Sequence, residues 1–307
     1  MPSARVLVTG AHGFVGQHLV AHLQACGDDV VGVDRSGPHG VDITDAEATA
    51  KMVAEVAPAT IYHLAGWADV GGSWTAPVEA FRANAEGSLN VLGAAADAGV
   101  RHVLAVSSAD VYGKVEPGEL PLTEGSPLRP ASPYAASKVA ADYLGLQAWL
   151  GRGLPVLRVR AFNHLGPGQT DKFVAPALAS RIARAERDGG DVLPIGDLSA
   201  RRDFTDVRDV VRAYRLLVQH GEPGEVYNVC SGTDLAVQDL ADKLLAQATI
   251  ALHFETDPSL LRPVEVPILR GSHRRLTAAT GWEPEVSIDQ TLTDLLTDWR
   301  SRVAAEG

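Results

Sequence analysis

The chain opens with a short apolar run, Arg5-Val-Leu-Val-Thr9, that passes directly into Gly10-Ala-His-Gly13-Phe-Val-Gly16. A helical pattern follows through Leu19, Val20 and Leu23, and then a second apolar run, Val30 to Val33, carries Asp34 at its tip. Strand, glycine-rich turn, helix, strand and acid in that order admit few folds: they form a dinucleotide-binding βαβ unit. Gly10 permits the tight turn, Gly13 lets backbone N–H groups approach a pyrophosphate, and Gly16 allows close helix packing; Phe14 and Val15 complete the turn. The helix N-terminus adds partial positive charge for the phosphates. Asp34 is expected to accept both hydroxyls of an adenine ribose, which favours NAD(H). Arg35 can hold a 2′-phosphate, so NADP(H) is also compatible, and Asp42 with Ile43 is expected at the adenine edge.

The remaining segments continue the alternation. Thr60 to Leu64 reads as a third strand, followed by Ala65-Gly66, small residues that let the backbone pass a cofactor, while His63 reads as a packed, hydrogen-bonded core residue. A helical stretch from Pro77 to Gly99 has Asn84 near its middle; asparagine is a poor helix former, so it is either exposed or holds something in place, and the second is favoured. Val103 to Ser107 is a fourth strand, and Ser107, Ser108 and Asp110 lie at its carboxyl end, where doubly wound folds bind ligands. Asp110 reads equally as an acid–base group or as a solvated turn carboxylate.

Ser132-Pro133 marks a helix start, serine capping free N–H groups and proline suiting the first position. Tyr134 and Lys138 then project from one face, four residues apart. A free phenol titrates near pH ~10, and an ammonium one turn away is expected to favour the phenolate. Pro155 to Ala161 is a fifth strand leading to Asn163. Beyond it a helix at Val207 to His220 and a strand at Glu225 to Val229 rejoin the main sheet, and helices at Leu235–Ala248 and Ile288–Val303 build a smaller lobe. The expected class is α/β: a Rossmann-type doubly wound parallel sheet with a smaller interleaved C-terminal substrate-binding lobe. Residues 1–164, with 206–232 returning, form the first part; 165–205 and 233–307 form the second.

Composition narrows the partners. With 307 residues, 46% hydrophobic and 21% charged, the chain is an ordinary globular one, and its net charge of −11 argues against nucleic acid and anionic membrane surfaces. Cys26 and Cys230 are too few for a disulfide framework or a zinc site and are expected as small buried hydrophobes; no metal is expected. No signal-like or membrane-spanning run occurs, so a cytoplasmic location is expected.

With these residues in place, the chain resembles the extended short-chain dehydrogenase/reductase family over its whole length. The shared motifs are Gly10-x-x-Gly13-x-x-Gly16, His63-Leu-Ala, Ser107-Ser108, Tyr134-x-x-x-Lys138 and Arg202-Asp203-Phe204. The second half is similar to members acting on GDP-linked sugars, through Phe162 to Gln169, Arg202 to Asp209, Val226 to Gly232, Leu261-Arg-Pro263 and Arg270 to His273.

The resemblance implies NAD(P)H-dependent reduction of the C4 keto group of a nucleotide-diphosphate 4-keto-6-deoxyhexose, GDP-linked by preference. Ser108 and Tyr134 would hold the C4 oxygen with Ser107 beside them. Tyr134 would donate the proton, with Lys138 bridging it to the nicotinamide ribose. Asn84 is counted with the cofactor site, and Asn163, Arg202 and Arg262 would bind the diphosphate, arginine by its planar fork of donors.

Three rivals are weighed: a sugar-nucleotide 4,6-dehydratase, a 4-epimerase using bound NAD, and a non-catalytic nucleotide sensor. Similar dehydratases carry Thr then Glu where this chain has Ser108 and Asp110, and aspartate is shorter by about 1.5 Å. A homodimer through Pro77–Gly99 and Ser132–Leu150 is also implied.

Overall fold

The computed structural model describes residues 5–37, 40–260 and 266–306. Arg262, and with it the Leu261-Arg-Pro263 motif, lies outside the described residues. The first half alternates as expected: β1 (Arg5–Thr9), α1 (Phe14–Ala25), β2 (Asp29–Val33), α2 (Ala46–Val56), β3 (Thr60–His63), α3 (Pro77–Phe81), α4 (Gly87–Asp97), β4 (His102–Ser108), α5 (Pro133–Arg152) and β5 (Val156–Ala161). There follow β6 (Asn163–Leu165), α6 (Val174–Asp188), β7 (Val192–Ile195), β8 (Arg201–Asp206), α7 (Val207–His220) and β9 (Val226–Val229). The chain closes with β10 (Asp234–Ala236), α8 (Val237–Leu245), β11 (His253–Thr256), β12 (Ile268–Leu269), α9 (Arg274–Thr280) and α10 (Ile288–Ala305).

Among the described residues, six parallel strands form the main sheet in the order β2-β1-β3-β4-β5-β9. From β1 the chain first moves outward to β2 and then crosses back to β3, so the sheet reverses direction between β1 and β3. At such a switch point the loops after the strands part and leave a crevice. One face of the sheet packs on α1 and α7 through Leu19, Leu23, Val210, Tyr214 and Leu217. The other packs on α2, α4 and α5 through Met52, Val53, Val91, Leu92 and Ala148. Burial on both faces explains why these strands read as continuous apolar runs.

A second core joins α6, α8 and α10. Leu292, Leu295, Leu296, Trp299 and Val303 recur at helical spacing along α10 and meet Leu178, Ile182, Leu240 and Leu244. A small sheet, β10-β8-β12 with β6 on β8, connects this core to the main one. No helix among the described residues is long and apolar enough to cross a membrane.

Three expectations need correction. The stretch from Pro77 to Gly99 is not one regular helix: a π-helical turn, Arg82–Glu86, separates α3 from α4. The expected helix at Leu235–Ala248 is shorter, because Asp234–Ala236 pairs with β8 and the helix begins only at Val237. Cys230 is buried as expected, but Cys26 is exposed, since it is the C-cap residue of α1, beyond the last apolar anchor Leu23.

Candidate active site

The crevice at the carboxyl ends of the strands is a cleft of about 860 Å³. Its floor is the glycine turn. Gly10 sits at φ +74°, and a Cβ there would lie 2.8 Å from Ala65 N, so only glycine lets the β1 and β3 loops approach this closely. A Cβ on Gly16 would strike the Gly10 carbonyl. Gly13 is the N-cap of α1 and provides no side-chain cap, leaving first-turn N–H groups for an outside acceptor. Asp34 closes this end; its carboxylate accepts from His12 N–H over 3.1 Å and Arg35 N–H over 2.8 Å.

These features fit a dinucleotide: an uncapped helix start for the pyrophosphate and an oriented carboxylate for ribose hydroxyls. Phe14, Val15, Arg35, Asp42, Ile43, Leu64, Ala65 and Gly66 line the same half of the cleft. Asp42 is held below its usual carboxylate range by the Thr44 backbone N–H and hydroxyl.

The opposite wall begins with α5. Ser132 Oγ accepts from Ala135 N–H over 3.1 Å, and Pro133 occupies the first turn, so the helix starts where the sequence indicates. The helix is anchored from beneath. Asp142, fully buried, accepts from Arg158 Nη1 at 2.6 Å and Arg160 Nε at 2.7 Å, both on β5. Tyr134 and Ser108 both line the cleft, and their hydroxyls are hydrogen-bonded to each other. Burial, followed by the Asp110 carboxylate, pushes the Tyr134 phenol up, and the Ser108 hydroxyl only partly opposes this.

The expected lowering by Lys138 is absent, and the physical reason is desolvation. Lys138 is itself buried, its pKa lowered to about 8, and its ammonium donates to Val106 O over 3.2 Å. Ser108 Oγ donates to Asp110 Oδ2 over 3.3 Å and accepts from Asp110 N–H over 3.1 Å, which fixes the hydroxyl beside Tyr134.

Two sequence candidates stand behind the wall. Strand alternation turns Ser107 away from the face that Ser108 occupies, and its hydroxyl donates to Lys138 O over 3.1 Å. Asn84 is 1% exposed; it accepts from Trp67 N–H and donates to Trp67 O and to Ser137 Oγ. His63, also buried, lies between Thr9 Oγ1 at 2.8 Å and Ser88 Oγ at 3.0 Å, with its pKa lowered to about 3 by burial.

Asn163 and Arg202 do line the cleft. Arg202 is set by its neighbour Asp203, which is fully buried. The Asp203 carboxylate accepts from Ser231 N–H and Oγ–H, Gly232 N–H and Gly271 N–H, pinning two loops to β8. Gln169 lines it at the end of the Phe162–Gln169 segment, and Trp67, Trp74 and Lys172 also line it and carry no motif that would single them out. Trp67 alone had a signal, its place directly after Ala65-Gly66 at a strand's carboxyl end.

The NAD dependent epimerase/dehydratase family pattern matches residues 6–230. The chain is 41% identical over 304 residues to the GDP-6-deoxy-D-mannose reductase of Pseudomonas aeruginosa, covering 98% of this chain and 99% of that one. Among solved structures it is similar to RMD from Pseudomonas aeruginosa complexed with NADPH, with a TM-score of 0.90 and 40% identity over 98% of this chain and 100% of that one. It is also similar to the UDP-glucose 4-epimerase of Thermus thermophilus in complex with NAD, with a TM-score of 0.86 and 30% identity over 96% and 99%.

Proposed function

The chain belongs to the NAD dependent epimerase/dehydratase family, and we propose that it is a reductase that converts GDP-4-keto-6-deoxy-D-mannose to GDP-D-rhamnose. The reductant is NADPH or NADH. Asp34 would accept the adenine ribose hydroxyls and Arg35 a 2′-phosphate, which accommodates both. The Gly10–Gly16 turn and Asp34 would hold the dinucleotide, which when bound would supply the hydride.

The observation that carries the reading is the likeness, at 41% identity over 98% of the chain, to a GDP-6-deoxy-D-mannose reductase, with Ser108 and Tyr134 lining one cleft. Reduction of a ketone adds a hydride to carbon and a proton to oxygen, so the resting enzyme needs an acid. Tyr134, with the Ser108 hydroxyl hydrogen-bonded to it, is the group placed to supply that proton.

Ser108 and Tyr134 donate to the C4 oxygen, where alkoxide charge develops and such donors act most strongly. Tyr134 gives up its proton, and Lys138, poised near neutrality, stabilises the phenolate that forms and helps return the proton. Ser107 contributes by holding the α5 backbone at Lys138, and Asn84 by holding Ser137. Asn163, Arg202 and Arg262 bind the diphosphate.

In this reading residues 1–164 and 206–232 carry the cofactor, and 165–205 and 233–307 the sugar nucleotide. Part of the second segment also packs back on the first core through Leu276 and Trp282. The active form is a homodimer. Phe81, Leu89 and Tyr143 are each at least half exposed and border one apolar groove on α3, α4 and α5, a surface suited to a second copy.

The test is to mix the protein with the 4-keto sugar nucleotide and reduced nicotinamide. Oxidation of one nicotinamide per sugar reduced supports the reading. Formation of keto sugar from GDP-mannose without added reductant would establish a dehydratase, and silence in both with cofactor bound a sensor.

A further inference from the structure

The loop between β3 and α3 brings Trp67 into the cleft wall, and the chemistry above makes no use of it. Its backbone N–H donates to Asn84 Oδ1 over 2.9 Å and its carbonyl accepts from Asn84 Nδ2 over 3.2 Å. Its indole N–H donates to Asp69 O over 2.6 Å. Each hydrogen-bonding group of the residue is thereby satisfied within the protein, and what it presents to the cleft is apolar. The ring also backs onto Gly72, where a Cβ would lie 3.2 Å from Trp67 Cζ2.

Its position is registered against the reacting centre. The Asn84 amide that holds Trp67 donates to Ser137 Oγ over 2.8 Å, and Ser137 Oγ donates to Tyr134 O over 2.7 Å. Hydrogen bonds therefore run without a break from Trp67 to the backbone carbonyl of Tyr134, the residue that addresses the sugar's C4 oxygen.

We propose that Trp67 selects a 6-deoxy sugar by packing on the C5–C6 edge of the hexose. The inference rests on the reductase reading above. C6 is two bonds from C4, about 2.5 Å on ordinary C–C geometry, so whatever reads C6 must stand beside whatever reads the C4 oxygen. A methyl group against the indole gains burial. A hydroxyl there is stripped of water with no partner on Trp67, whose donors and acceptor are already used. Because the ring is pinned before the sugar arrives, little side-chain freedom is lost on binding.

GDP-6-deoxy-D-mannose and GDP-D-mannose differ only by the hydroxyl at C6, so they read this contact directly. Calorimetry on the protein saturated with NADPH, with which neither sugar can react because neither carries a carbonyl, should show the deoxy compound binding roughly 10- to 100-fold more tightly, the range for one hydroxyl against an apolar wall. Trp67→Gln should bring the two within about threefold while GDP itself binds as before. Trp67→Phe, which keeps an apolar aromatic ring but loses the pyrrole part of the indole with its N–H to Asp69, should retain most of the preference. Equal affinities in the unmodified protein, or a preference that survives Trp67→Gln, would overturn the proposal. If neither GDP-sugar nor GDP binds, the GDP-sugar reading itself fails, and this inference falls with it.

Discussion

Asn84 donates from its amide to the hydroxyl of Ser137 over 2.8 Å, joining residues 53 apart in the chain. The contact depends on the π-helical turn Arg82–Glu86, which turns a polar side chain inward from the middle of an otherwise apolar helix face. Such turns recur at functional sites because the extra residue redirects a side chain at small cost to the helix. Here it makes one amide the link between the β3 loop and the helix that carries Tyr134 and Lys138.

Asn84→Ala should leave Trp67 N–H, Trp67 O and Ser137 Oγ short of a partner. A loss of about 1–3 kcal/mol is expected from the unpaired buried groups. For a chain of this size that corresponds to a fall in Tm of roughly 2–4 °C per kcal/mol. Thermal denaturation checks the stability, and a drop in kcat larger than the change in cofactor Kd checks the positioning role.

Tyr134→Phe keeps the ring and removes the proton. Turnover should fall about 10²–10⁴-fold, the usual size of general acid catalysis. Cofactor affinity, measured by nicotinamide fluorescence, should stay within about threefold; near-normal turnover would remove Tyr134 from the chemistry.

Lys138 is buried, with its pKa lowered to about 8 from 10.5. Between those two values the unfolded chain binds more protons than the folded one, so this group makes stability rise with pH across the window. Below pH 8 the full cost of burying an ammonium is present. Lys138→Met should therefore unfold at higher urea concentration than the unmodified protein at pH 7, by about 2–3 kcal/mol at 1.36 kcal/mol per pKa unit, less the hydrogen bond to Val106 O. The advantage should shrink as pH approaches 10.5, while activity is lost throughout.

Leu89→Glu places a charge in the exposed groove shared by α4 and α5. Light scattering should give twice the chain mass for the unmodified protein and the chain mass for the variant. A dimer that survives the substitution would move the interface elsewhere.

The parts that were legible in the sequence are those dictated by nearby residues. The turn at Gly10, Gly13 and Gly16 is a matter of local backbone clearance, and Ser132-Pro133 caps its helix with its own atoms. The Tyr134–Lys138 pair was legible for its spacing but not for its electrostatics. Whether an ammonium lowers a phenol depends on how much water both lose, and burial is a property of the whole fold. Asp203 shows the same limit: its four donors come from Ser231, Gly232 and Gly271, which only the folded chain brings together. Trp67 has no motif, since its role is set by the amide of Asn84 and the carbonyl of Asp69.

The account stands on hydride and proton meeting at one sugar carbonyl beside Tyr134, and isotopic labelling reads that directly. The protein is given GDP-4-keto-6-deoxy-D-mannose and nicotinamide cofactor deuterated at its transferable position, and the product is examined by NMR. One deuterium at C4 of the sugar, in a product that has gained the C4 hydroxyl, is the result expected. A sugar returned without deuterium at C4, or label found only elsewhere on the ring, would contradict the account.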